Sequence, residues 1–142
     1  MFIKNQLLLA SCFEFGCSVA QASNTDMIGT WNGVSNVTVV GGESDHFDTE
    51  HDSGASFIRA DFSIIIDKVE GQNFSGSVQS ISHEEPLVGS FRANMRTGVM
   101  ADYDGTYDFE MLGPDRMETC YVHPISFTDK HTVAACAVLV KE

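Results

Sequence analysis

The sequence predicts an all-β protein, an eight-stranded antiparallel up-and-down (meander) barrel. Three observations carry that expectation. No window beyond the N-terminal segment shows a helical apolar period, whereas β-branched and aromatic runs with period-two alternation recur along the chain. Gly, Asp, Asn and Pro separate these runs, and most of the separations are short. Short links make a meander, and a meander of this length closes into a barrel, because each strand pairs with its sequence neighbour and closure removes both free edges. A sandwich would call for Greek-key crossings and more long connections.

The first residues read as a targeting segment. Lys4 supplies a positive start, Leu7 to Ala20 an apolar stretch interrupted by Glu14, and Ala20-Gln21-Ala22 an A-x-A site. Residues 1–22 are therefore expected to be a signal peptide cleaved after Ala22, with 23–142 a single barrel domain that is periplasmic or secreted. A second reading takes Leu9-Ala10-Ser11-Cys12 as a lipobox and Cys12 as a lipidated N-terminus; the apolar run ahead of it is short. The same run is too short for a transmembrane span. Removing the segment takes away Lys4 and Glu14 together, so the formal net charge stays at −12. So acidic a chain is repelled by nucleic acid and by anionic membrane surfaces.

Of the four cysteines, Cys12 and Cys17 leave with the signal. Cys120 and Cys136 remain, both in strand-like runs around one loop, and in an oxidising compartment they are expected to form a disulfide across a hairpin. No Cys-x-x-Cys or His ligand spacing accompanies them.

The strands are expected near 29–40, 57–69, 73–82, 86–94, 97–103, 106–112, 116–123 and 132–140. Glu70-Gly71-Gln72, Arg96-Thr97-Gly98, Asp104-Gly105 and Gly113-Pro114-Asp115 carry turn chemistry. Two connections, 41–56 and 124–130, are longer. Alternation then sorts the faces. Strand one turns Trp31, Gly33, Ser35, Val37 and Val39 inward, and strand two Ala60, Phe62, Ile64 and Ile66. Strand four turns in Leu87, Gly89, Phe91 and Ala93, strand five Val99, Ala101 and Tyr103, and strand six Tyr107, Phe109 and Met111. Strand seven adds Met117, Thr119 and Tyr121, facing Val133, Ala135, Ala137 and Leu139 of strand eight. Asp61, Asp67, Arg92, Asp102, Asp108, Glu110 and Glu118 fall on the outer face. A slip of one residue would invert any single strand. The inward mixture of Gly, Ser and Ala with aromatics suits either a packed taper or room for one small ligand.

An eight-stranded meander opening on Gly29-Thr30-Trp31 resembles the calycins, the group of lipocalin- and avidin-type barrels. There a G-x-W element opens the first strand and its tryptophan packs across the closed end. The resemblance implies a small ligand in the opposite mouth and a basic residue against the tryptophan ring, a place Lys141 could fill through a cation–π contact. The tryptophans that wall an avidin pocket have no counterpart, since Trp31 is alone.

The densest polar cluster is the loop Gly41 to Asp52, with His46 and His51. It could be a lid, oxygen ligation for a hard cation, or a solvated connection; it lacks EF-hand spacing, and two histidines five apart are no zinc signature. No metal and no cofactor is expected. His83, His123 and His131 sit at strand ends, and no G-x-S-x-G elbow or Ser/His/Asp set can be assembled. The candidate ligand-binding residues are Ser35, Phe62, Phe91, Tyr103, Tyr107 and Tyr121, the tyrosines because each offers a hydroxyl to a bound polar atom. Trp31, Lys141, Cys120 and Cys136 are expected to be structural. Three functions stay open: an exported binder of a small apolar ligand, a cyclase- or isomerase-type barrel enzyme using those tyrosines, and a packed barrel acting through its surface as an interaction or inhibitor module. The oligomeric state is also open.

Overall fold

Eight strands close on themselves in strict sequence order, β1-β2-β3-β4-β5-β6-β7-β8, with β8 returning to pair antiparallel with β1. They are β1 Gly29–Gly41, β2 Ala55–Glu70, β3 Asn73–Gln79, β4 Glu84–Phe91, β5 Thr97–Ala101, β6 Thr106–Gly113, β7 Arg116–His123 and β8 His131–Lys141. The computed structural model describes residues 27–41, 54–80, 83–123 and 131–142. The N-terminal segment with Cys12, the loop residues His46 and His51, and the 124–130 connection lie outside the described residues.

The expected meander barrel is the observed one, and the long strands keep the expected faces. Trp31, Ile64, Ile66, Leu87, Met117 and Leu139 are all but inaccessible to solvent. They gather at the end of the barrel where β1, β3, β5 and β7 begin. Trp31 anchors this end: its Nε1 donates 2.9 Å to the Met27 carbonyl, and the Lys141 ammonium lies 5.8 Å from its ring centroid. The two residues are cross-strand partners in the β1–β8 pairing, which places the cation over the ring.

In the same core cluster, Phe74, Phe91 and Phe109 pack edge to face with centroids 5.1 to 5.7 Å apart. Two glycines make room for them. A Cβ on Gly89 would stand 2.2 Å from the Phe74 ring, and one on Gly98 would stand 2.4 Å from the Phe109 ring and 2.4 Å from the Ser90 carbonyl. Phe74 and Phe109 thus each fill a hole left by a missing side chain on a neighbouring strand.

Gly98 also corrects the reading of the fifth strand. The sequence places Val99, Ala101 and Tyr103 inward; the structure turns Gly98 and Met100 inward instead. Val99 is 47% and Tyr103 79% exposed, whereas Met100 is 2% exposed. The register pairs Gly98 with both Phe91 and Phe109, so the phenylalanine layer sets the strand's face rather than the hydrophobicity of its own residues. β5 stops at Ala101, and Tyr103 belongs to the following turn. β4 likewise stops at Phe91, which leaves Ala93 exposed.

Cys120 and Cys136 are direct partners across the β7–β8 hairpin and are bonded. No helix among the described residues is long and apolar enough to cross a membrane. On the outer wall Arg92 pairs with Asp108 and Arg96 with Glu110, solvated pairs that contribute little.

Two substitutions test this arrangement. Gly98→Ala should destabilise the barrel by about 1–3 kcal/mol through overpacking, while Val99→Ala should stay within about 1 kcal/mol of the parent. Urea unfolding of both checks it, and the reverse ranking would restore the inverted face. Replacing both Cys120 and Cys136 by Ala should cost about 3 kcal/mol, because the bond closes a loop of 16 residues in the unfolded chain. A loss below about 1 kcal/mol would show the hairpin to be self-sufficient.

Candidate functional site at the open end of the barrel

The end opposite Trp31 is lined by small residues rather than large ones. Val37 of β1, Ala60 of β2, Val78 of β3 and Val133, Ala135 and Ala137 of β8 leave a cavity of about 70 Å³. That is several times the ~10–15 Å³ needed for one water by the same measure. The space is therefore sized for a small ring or a short chain. Its floor is apolar, and its polar groups come from the strand ends and the β5–β6 turn.

Asp102 organises that polar side. Its Oδ1 accepts hydrogen bonds from the backbone N–H groups of Asp104 at 3.0 Å and Gly105 at 2.7 Å. Its Oδ2 accepts a bond of 2.5 Å from the Tyr107 hydroxyl, so the turn that ends β5 also fixes a buried tyrosine of β6. Tyr107 leans on Tyr121 of β7, with centroids 4.6 Å apart, and on Phe62 of β2 at 6.2 Å. Gly105 lets the Tyr121 ring lie close, since a Cβ there would meet it at 2.5 Å.

The Tyr121 hydroxyl in turn lies 3.3 Å from His123 Nδ1, and the His123 ring is 4.8 Å from that of His131. Both histidines are buried. A continuous aromatic wall thus runs Phe62, Tyr107, Tyr121, His123, His131. Thr119 donates to the Asp108 carbonyl at 3.2 Å, and the Ser80 hydroxyl oxygen is buried with no hydrogen-bond partner among the described residues.

Burial, followed by the charge of Asp102, pushes the Tyr107 and Tyr121 hydroxyls far above the ordinary phenol value of 10.0. Both are neutral hydrogen-bonding groups across the physiological range. Neither is poised as a phenolate.

Of the six residues the sequence nominates for ligand contact, the structure brings four together: Ser35, Phe62, Tyr107 and Tyr121 all line the cavity. Phe91 does not, because it sits in the phenylalanine layer beneath. Tyr103 does not, because it points to solvent from the turn. Asp102, expected on the outer face, lines the cavity instead, as do His83, Glu85 and His123. The Asp102-Tyr103-Asp104-Gly105 run held the signal: an Asp three residues before a Gly folds its carboxylate back onto the turn's N–H groups and leaves strand alternation. Arg59, of undecided direction in the sequence, is exposed and pairs outward with Asn36. Among the described residues no group of three or more His, Cys, Asp or Glu is arranged to hold a metal.

No family model matches the chain, and no curated protein does. Among solved structures, the S-type phycobiliprotein lyase CPES from Guillardia theta aligns over 83% of this chain and 89% of its own, at 11% identity and a TM-score of 0.44.

The tyrosines make a pH prediction. Their folded pKa values lie above the unfolded value of about 10, so their contribution to stability is complete below that pH. It is lost as pH rises beyond it, where the unfolded chain sheds protons that the folded one keeps. Urea midpoints should hold steady up to about pH 10 and fall above it, more steeply than in Tyr107→Phe. An equal slope in the variant would show that Tyr107 ionises freely.

Proposed function

We propose that the protein is an exported binder that holds one small, largely apolar molecule in the open end of its barrel. The observation that carries this reading is the cavity itself. It lies in a lumen packed solid at its other end, with an apolar floor and a few hydroxyls along one side. The contacts are assigned to Phe62, Tyr107 and Tyr121 for the body of the ligand and to Ser35 and Ser80 for a polar atom. Trp31 and Lys141 close the far end and take no part in binding. Export is supported by the A-x-A signal at Ala22 and by the Cys120–Cys136 bond, which suits an oxidising compartment. The wall of unionised tyrosines and stacked rings favours holding a molecule over transforming it.

Solvent extraction and native mass spectrometry of protein purified from its own compartment should reveal a bound small molecule. Ala135→Phe and Ala60→Phe, each filling the cavity from a different strand, should abolish that added mass while leaving the circular dichroism of the barrel unchanged. Full retention of the mass in both folded variants would move the binding site elsewhere.

A further inference from the structure

Two neighbouring strands of the barrel lack the charges that the others set toward solvent. β1 from Gly29 to Gly41 and β8 from His131 to Val140 hold no Asp, Glu, Lys or Arg, in a chain that is 20% charged. β2, β6 and β7 follow the ordinary alternation, with Asp61, Asp108 and Glu118 exposed on the outer wall. β8 is instead apolar on both sides. While Val133 to Leu139 alternate into the lumen, the outer positions are Ala134, Cys136, Val138 and Val140. An unbroken apolar run is the pattern of a strand covered on both faces, yet this outer face is open. The stripe widens across β1 through Val34 and Val40, and across β7 through Val122, the cross-strand partner of Ala134. The valines of this patch are between 38% and 49% exposed. The Cys120–Cys136 bond lies among them and ties β7 to β8. At roughly 4.8 Å between strands and roughly 3.3 Å per residue, three strands over about ten residues present about 500 Å². A continuous patch of about 300–600 Å² is the largest that a monomer ordinarily leaves open, and such patches commonly serve contact.

We propose that this face is the contact between two copies of the chain, an isologous dimer through the outer sides of β1, β7 and β8. Two bodies of net charge −12 repel wherever their acidic walls meet. Here like meets like with no charge juxtaposed, and a centre depleted of charge is the composition of an interface core. The flanks are balanced as well. Arg116 and Glu118 border the patch on β7, and Arg59 and Asp61 border it on β2, one cation and one acid on each side. Neither flank presents a net charge to a second copy. An unlike partner recruited by so acidic a chain would be basic, and the centre of this face offers a basic partner nothing to pair with. Two such faces bury about 1,000 Å² in all, the small end of specific interfaces, so the dimer is reversible, with a Kd of about 1–100 μM. It does not depend on what the cavity holds.

Sedimentation equilibrium of protein purified from its own compartment should show monomer and dimer exchanging between about 1 μM and about 1 mM. Raising the salt from about 0.05 M to about 0.5 M should tighten the dimer, because screening removes the repulsion of the acidic bodies and leaves the apolar contact. Val138→Lys and Val34→Lys should each weaken it by about tenfold or more, since each buries an ammonium in the interface. Both lysines stand beside an acid of their own chain, Glu118 and Asp61, and both make the chain less acidic. Neither unfolding nor added repulsion therefore accounts for the loss, and urea midpoints check that the barrel is intact. Val88→Lys, on the opposite wall between Ser75 and Ala101, is the control and should leave the dimer as tight as in the parent. A chain that stays monomeric to about 1 mM at both salts overturns the proposal. So does an equal effect of all three lysines, or a dimer that either Val138→Lys or Val34→Lys leaves within about threefold of the parent. An unlike protein carried by the monomer in native mass spectra and released by Val138→Lys also overturns it, and assigns the face to that partner.

Discussion

Closure of the sheet through the β1–β8 pairing is the constraint on which everything else depends. With eight strands the interior is just wide enough for side chains to fill. The lumen is therefore solid or hollow according to the size of the residues that each layer turns inward. At one end those residues are Trp31, Ile64, Ile66, Met117 and Leu139, all with next to no solvent exposure. Three phenylalanines join them in the same core, and Phe74 and Phe109 fit because Gly89 and Gly98 have no side chain where their rings lie. At the other end the inward residues shrink to Ala60, Ala135, Ala137, Val37 and Ser35, and the closed wall keeps its circumference. A cavity follows from geometry once the side chains are small.

The same logic explains what could be read from the sequence. Long strands average over many residues, so β1, β2 and β8 declare their inner faces plainly, and their ends are placed to within a residue or two. β5 spans five residues, and one of its two inward positions is a glycine, which carries no hydrophobic signal. Val99 and Tyr103 then outvote Gly98 and Met100 on composition, although the register with Phe91 and Phe109 decides the matter. That information lies in partner strands and not in β5 itself. The candidate site was half legible for a related reason. Ser35, Phe62, Tyr107 and Tyr121 lie on well-patterned strands. Asp102 and His123 carry polar side chains whose burial depends on a turn and on a neighbouring ring, neither of which alternation describes.

The polar side of the cavity is an assembly with one keystone. Asp102 is held by two backbone donors of its own turn before it meets Tyr107, so its carboxylate is positioned independently of the barrel wall. Tyr107, fixed by that bond, sets the tilt of Tyr121, and Tyr121 reaches His123. Order thus propagates from a surface turn across two strands to a buried ring pair. The Tyr107 hydroxyl proton is committed to Asp102 within this chain of contacts.

Leaving the open end hollow carries a cost. Small side chains around this space forgo the packing contacts that a filled core would gain. A few methylenes on Ala135 or Ala137 would offset much of it, since both point into the space. The closed end shows that this barrel can pack to completion with ordinary aliphatic and aromatic residues. The alanines of β8 therefore keep a local weakness that the fold does not require, next to a carboxylate and two tyrosines whose polar atoms face the gap. Small side chains, an unfilled volume and fixed polar groups coincide at one place, far from the tryptophan that opens the first strand. Trp31 fills the barrel at one end, and the small residues of β1, β2 and β8 leave room at the other.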